Sequence, residues 1–169
     1  EGGYNPDEYE AYREWATAPD GEQVPISVVR RKGVEGPAPA LLYGYGSYEA
    51  STDPGFSVAR LSLLDRGMVW VCAHVRGGGE MGRAWYDNGK MLHKANTFTD
   101  FIACADRVVE LGLTTPKQLV AEGGSAGGLL MGAVANMAPE KFAGILAIVP
   151  FVDPLTSILK PELPLTVGE

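Results

Sequence analysis

The sequence predicts an α/β fold built on a mostly parallel sheet, and three observations carry that prediction. Short apolar runs without alternation recur along the chain and read as strands buried on both faces. Stretches of helical periodicity separate them, which is the pattern of strands joined by helical crossovers. Glycine-rich loops follow the strand ends, where open α/β sheets place their sites.

The chain has 169 residues, enough for one domain with a sizeable core. The net charge of -7 and the lack of a basic stripe argue against a nucleic-acid partner. No apolar run is long enough to span a bilayer, so no membrane partner is expected. Glu1-Gly2-Gly3-Tyr4 carries no signal pattern, which points to a cytoplasmic location. Cys72 and Cys104 sit in apolar surroundings and read as small buried hydrophobes. His74 and His93 are isolated from each other and no C-x-x-C occurs, so neither a metal site nor a cofactor is expected.

Residues 4–12 read as a polar and aromatic lead-in. Arg13-Glu14-Trp15-Ala16-Thr17 alternates as a strand, Pro19-Asp20-Gly21 is a turn, and Val24, Ile26 and Val28 alternate beyond it. The chain therefore opens with an antiparallel hairpin. Ala40-Leu41-Leu42-Tyr43 is a short buried strand that runs into the loop Gly44-Tyr45-Gly46-Ser47-Tyr48. A helix follows on Val58, Leu61, Leu63 and Leu64, with Gly67 stopping it. Met68-Val69-Trp70-Val71-Cys72-Ala73 reads as a central strand, and His74-Val75-Arg76-Gly77-Gly78-Gly79-Glu80 as a second glycine-rich loop. Residues 81–96 fit no single pattern.

Thr97-Phe98-Thr99-Asp100 matches a capping box and predicts a helix start at Thr97. The helix face would be Phe98, Phe101, Ile102, Ala105, Val108 and Val109. Gln118-Leu119-Val120-Ala121 is a strand, residues 129–136 a helix, and residues 142–149 a last buried strand. Residues 150–169 read as a proline-rich loop in which Asp153 caps a turn before Pro154.

Between the strand at 118–121 and the helix at 129–136 lies Gly123-Gly124-Ser125-Ala126-Gly127, which fits G-x-S-x-G. A serine on such a turn projects from the sheet edge at the positive end of a helix. The next residue, Ala126, can offer its N–H to a developing oxyanion. A serine hydroxyl needs a base, usually a histidine steered by a carboxylate. Both histidines precede Ser125, whereas in this strand–turn–helix class the histidine follows the serine. The residues alone thus leave two readings, a hydrolase lacking its base or a serine that is not catalytic.

Several stretches together resemble the prolyl oligopeptidase family of serine peptidases, and within it the oligopeptidase B branch. They are Leu41 to Tyr48, Arg60 to Gly67, His74 to Glu80, Asn96-Thr97-Phe98, Gly123 to Gly128, Val149 to Asp153, and Pro164 to Glu169. The resemblance implies an α/β-hydrolase catalytic domain capped by a β-propeller. Residues 1–169 would then be the N-terminal part of the catalytic domain, incomplete, without the propeller and without the C-terminal part that holds the family's Asp and His. On that reading the segment alone is inactive, folds poorly, and needs the remainder of the protein.

The resemblance also implies site residues. Ser125 matches the nucleophile, and the Tyr45 hydroxyl with the Ala126 N–H forms the oxyanion hole. Glu169 matches the residue that binds the basic side chain before the scissile bond. Asp53 matches the first of two acidic residues in the neighbouring subsite, and Gly55 stands where the second would be. Arg76 and Glu80 match a loop motif without a catalytic role. The implied activity is a serine endopeptidase cutting short peptides after Arg or Lys through an acyl-enzyme. The alternatives are an acylaminoacyl peptidase or esterase relative, or a non-catalytic piece.

Overall fold

Alternating burial along the strands builds the two sides of the sheet. The computed structural model describes residues 3–164 and 168–169. Leu165, Thr166 and Val167, inside the last stretch matched to the family, lie outside the described residues. Strands β1 (Tyr9–Thr17) and β2 (Gln23–Arg31) form the expected antiparallel hairpin, paired from Tyr9↔Arg31 to Thr17↔Gln23. The first strand begins four residues earlier than Arg13, because Tyr9 to Tyr12 find ladder partners in Val28 to Arg31 that local pattern does not reveal.

Strands β3 (Ala40–Tyr43), β4 (Val69–Ala73), β5 (Leu119–Gly124) and β6 (Gly144–Ile148) complete a six-stranded sheet in the order β1-β2-β4-β3-β5-β6. The pairs β3–β4, β3–β5 and β5–β6 are parallel, and β2–β4 is antiparallel. The mostly parallel α/β sheet with an antiparallel opening is therefore present. In β4 every residue is buried, with Val69, Val71 and Ala73 on one face and Trp70 and Cys72 on the other. That double burial is why β4 reads as an unbroken apolar run.

Helices α1 (Val58–Leu64), α2 (Arg83–Asp87), α3 (Ala95–Glu110), α4 (Ala126–Met137) and α5 (Pro154–Ile158) flank the sheet. Leu64 of α1 packs with Leu41, Trp70 and Cys72 on one side. The larger core, on the other side, joins Leu42, Val71 and Ala121 to Phe101, Cys104 and Val108 of α3 and Leu130, Met131 and Val134 of α4. Both cysteines are buried and unpaired, as expected. Helices α2 and α5 fill segments that showed no usable pattern, since five residues are too few for periodicity. Asp153 does cap a turn: its Oδ1 accepts from the Thr156 N–H at the start of α5. Strand β6 is shorter than the apolar run 142–149, and Leu146 and Ile148 are exposed on it.

Strand β6 is therefore not the buried strand expected, because it lies at the edge of the sheet, and the capping box fails as well. Helix α3 starts at Ala95, and its stripe of buried residues is Thr97, Asp100, Phe101, Cys104, Ala105 and Val108. Thr97 and Asp100 point into the fold instead of capping. Thr97 Oγ1 donates to the carbonyls of Arg76 at 2.7 Å and Gly89 at 3.1 Å. Asp100 accepts from the Arg76 backbone N–H and Nε through Oδ2, and from Nη2 through Oδ1 at 2.6 Å. A long-range cation outcompetes the local N–H groups because both partners are buried, Arg76 at 4% and Asp100 at 0% exposure.

Asp20 of the hairpin turn closes the other end of the Arg76 guanidinium at 2.5 Å. Burial alone would lower the Arg76 pKa, and the two carboxylates more than offset it. Arg76 is therefore structural, tying the hairpin, the loop after β4, and α3 together. Replacing Asp100 with alanine is expected to destabilise the protein by about 3 kcal/mol, because it leaves the buried Arg76 Nε and backbone N–H without their acceptor and only the half-exposed Asp20 on the guanidinium. The measurement is the denaturation midpoint of the full-length protein against the wild type.

Candidate active site

A short strand, a forced turn and a helix place Ser125. Strand β5 ends at Gly124 and α4 begins at Ala126, so the reversal occurs at one residue. Ser125 sits at φ 55°, ψ -115°, in the left-handed half of the map that a side chain rarely adopts. Such strain costs about 1–3 kcal/mol and survives only where neighbours enforce it. Here they do. The Ser125 N–H donates to the Ile148 carbonyl at 3.0 Å. Its carbonyl accepts from the N–H groups of Gly128 at 2.9 Å and Phe151 at 3.0 Å.

The flanking glycines are needed for close approach. A Cβ on Gly123 would lie 2.3 Å from the Gly127 carbonyl oxygen, and one on Gly128 would lie 2.4 Å from Pro150 Cα. Both obstacles are backbone and cannot rotate away. Gly123→Ala is expected to cost about 3 kcal/mol or more by overpacking. A lowered melting temperature with lost activity is the expected result.

The elbow frees Ser125 for chemistry. Serine at a helix N-terminus usually caps the helix, but the Ser125 side chain makes no capping hydrogen bond and is exposed. Ala126 is the first residue of α4, so its N–H lies outside the helical ladder. The loop after β3 comes to this point. A Cβ on Gly127 would meet the Gly44 oxygen at 2.7 Å, Tyr45 Cα at 3.3 Å and Tyr45 Cδ2 at 3.4 Å. Tyr45 thus packs over the residue two beyond the serine. Burial first, and then the nearby Glu169 charge, raise the Tyr45 pKa, so its hydroxyl keeps its proton and remains a donor.

A cavity of about 470 Å³ opens beside the elbow. Ala126 and Leu129 of α4, Phe98 of α3, Phe151 and Ile158 form apolar walls, and Lys94 and Glu169 bring the charges. Glu169 is held at both carboxylate oxygens: Oε1 accepts from the Tyr86 hydroxyl at 2.6 Å and Oε2 from the Tyr48 N–H at 2.9 Å. Its backbone oxygen accepts from the Met91 N–H. The hydrogen bond to Glu169 is the largest cause of the raised Tyr86 pKa.

Ser125 and Ala126 form the elbow, Tyr45 packs against it at Gly127 within reach of the Glu169 charge, and Ala126 and Glu169 line the cavity beside it. Asp53 does not join them: it is exposed on the loop 49–57 and is absent from the cavity wall. Tyr86 and Lys94 were missed by sequence reasoning, because both fall in the stretch 81–96 that carries no periodic signal.

The histidines stay elsewhere. His74 is 2% exposed, with Nε2 2.7 Å from Ser27 Oγ and Nδ1 3.4 Å from Glu80 Oε1. His93 is exposed in a one-turn 3-10 helix, Met91–His93. No hydrogen bond joins either to Ser125 among the described residues. No group of three or more His, Cys, Asp or Glu that could hold a metal ion occurs among the described residues.

A mixed sheet whose fifth strand turns through a strained serine into a helix is the α/β-hydrolase architecture with a nucleophile elbow. Residues 54–169 match the prolyl oligopeptidase family, peptidase S9, and the chain belongs to that family. Dipeptidyl aminopeptidase BI of Pseudoxanthomonas mexicana is 56% identical over 170 residues, which cover 99% of this chain and 24% of the relative. Protease 2 of Moraxella lacunata is 51% identical, over 99% of this chain and 25% of the relative. Oligopeptidase B of Trypanosoma brucei, in a closed form with covalently bound antipain, superposes with a TM-score of 0.94 at 55% identity, over 99% of this chain and 24% of that one. The chain thus spans about a quarter of the length of these relatives.

Proposed function

We propose that the protein carrying this chain is a serine endopeptidase that cuts short peptides after Arg or Lys. Ser125 Oγ attacks the scissile carbonyl. Its proton passes to a histidine that the family carries C-terminal to this stretch, oriented there by an aspartate. The developing oxyanion takes hydrogen bonds from the Tyr45 hydroxyl and the Ala126 N–H. The histidine returns that proton to the leaving amine as the intermediate collapses, which leaves an acyl-enzyme on Ser125 that water then hydrolyses. The trypanosomal relative holds a covalently bound ligand, which supports a covalent step in the reaction.

One observation carries the specificity: a carboxylate held by two donors stands in the wall of the cavity that begins at Ala126. Apolar walls suit the methylene stem of an arginine or lysine, and Glu169 suits its charged head. An esterase or acylaminoacyl peptidase would gain nothing from that charge. Asp53 matches only the first of the family's two acids for the neighbouring subsite, and Gly55 stands in place of the second, which argues against a strong preference for a second basic residue.

The test is a peptidase assay on the full-length enzyme with amide reporters ending in Arg, Lys or Leu. A kcat/KM for Arg at least about 10²-fold above that for Leu is expected. Equal rates would refute the reading. The dipeptidyl aminopeptidase of P. mexicana favours a second reading, release of dipeptides from a free N-terminus. N-terminally blocked reporters separate the two, since only the endopeptidase cuts them.

A further inference from the structure

We infer that Lys94 is a positioning residue of the oxyanion site, clamping the loop that presents Tyr45. The inference rests on the reading of Tyr45 as an oxyanion donor. Lys94 immediately precedes α3 and its ammonium reaches back 48 residues along the chain to donate to the Gly46 carbonyl at 2.6 Å. A second bond joins Nζ to Ser47 Oγ at 2.7 Å. The two acceptors are the two residues that follow Tyr45.

The loop needs such a clamp. Its backbone is tied to the sheet at Gly44, whose N–H donates to the Glu122 carbonyl, and to the loop after β4 at Glu49, whose N–H donates to the Gly77 carbonyl. Between those ties the chain leaves the ladder. The Lys94 bonds hold it at 46 and 47, and the Tyr48 N–H bond to Glu169 holds it at 48. Packing then limits motion inward: a Cβ on Gly46 would meet Thr97 Cγ2 at 2.5 Å and Val75 Cγ2 at 2.6 Å. Ser47 is buried at 1% exposure, so its hydroxyl depends on a protein partner.

An ammonium in this place is costly. Burial lowers the Lys94 pKa to about 8, and the Glu169 charge only partly restores it. A methionine would fill the same space without that cost. What the ammonium adds is direction, since it bonds a carbonyl and a hydroxyl adjacent to Tyr45. A displacement of about 1 Å at a positioning element can cost about 10²-fold in rate. Lys94 also lines the cavity, so a direct effect on the substrate's charged head would persist without Tyr45, whereas positioning through Tyr45 would not.

The test is a double-mutant cycle in the full-length enzyme with an Arg reporter, comparing wild type, K94M, Y45F and K94M/Y45F. Y45F is expected to lower kcat by about 10²-fold. K94M is expected to lower kcat by about 10-fold with KM within about 2-fold, and to add little in the Y45F background. S47A removes one of the two acceptors and is expected to give a smaller loss that also vanishes with Y45F. It decides the question if K94M does not fold. Equal losses from K94M, or from S47A, with and without Tyr45 would overturn the inference, as would an unchanged kcat. A Y45F enzyme as fast as wild type would take Tyr45 out of the reaction and Lys94 with it. That result refutes the oxyanion reading itself, and is distinct from a null result at Lys94 alone.

Discussion

Ser125→Ala in the full-length enzyme is expected to lower kcat by about 10⁴–10⁶-fold while leaving the fold and KM nearly unchanged. The serine is exposed, its side chain caps nothing, and its strained backbone is enforced by main-chain bonds from Ile148, Gly128 and Phe151. Removing Oγ therefore deletes the nucleophile we propose without loosening the elbow. Alanine tolerates φ 55° no worse than serine, so no new strain arises. Two readouts check this. The first is the reporter assay. The second is intact mass after a fluorophosphonate probe, which is expected to add one adduct to the wild type and none to the variant. A variant with a tenth of wild-type activity, or a labelled variant, would move the nucleophile elsewhere.

Glu169→Gln is expected to lower kcat/KM for Arg reporters by about 10²-fold and for a Leu reporter by less than about 3-fold. Glutamine keeps the shape and keeps an oxygen to accept from the Tyr48 N–H or the Tyr86 hydroxyl. With that oxygen on the Tyr48 N–H, its NH2 donates to the Tyr86 hydroxyl, so that bond reverses direction, and the charge that a guanidinium would pair with is lost. The split between the two reporters is the decisive quantity. A parallel fall in both would mean that Glu169 supports the site's shape, acting through Tyr48 and Tyr86. In that case the basic preference has another source.

Most of the fold was legible because its signals are local. Strand β4 announces itself as five consecutive apolar residues, and the hairpin by its alternation around Asp20-Gly21. The elbow is legible for the same reason: a glycine–serine–glycine turn between an apolar strand and an apolar helix has few alternatives. Tyr45 and Glu169 were legible only through the family resemblance, since a loop aromatic and a late glutamate carry no local pattern.

The failures share one cause. Thr97 and Asp100 have the spacing of a capping box, yet Arg76 and Gly89 take their hydrogen bonds. The buried stripe of α3 contains both, and a search for apolar periodicity skips them. Tyr86 and Lys94 lie in short irregular segments whose structure is decided by what they touch.

What the sequence determined by itself is the α/β class, the hairpin, the strand–serine–helix elbow and the burial of both cysteines. Each follows from residues within one turn or one strand of each other. Only the tertiary structure decided that Glu169 meets Tyr86 across 83 residues and the Tyr48 N–H across 121, and that Lys94 reaches the loop behind Tyr45. The physical reason is that a polar pair between distant segments leaves no period along the chain. Such a pair exists only once the sheet brings the ends of β3, β4 and β5 together and burial leaves each polar group to find its partner within the protein.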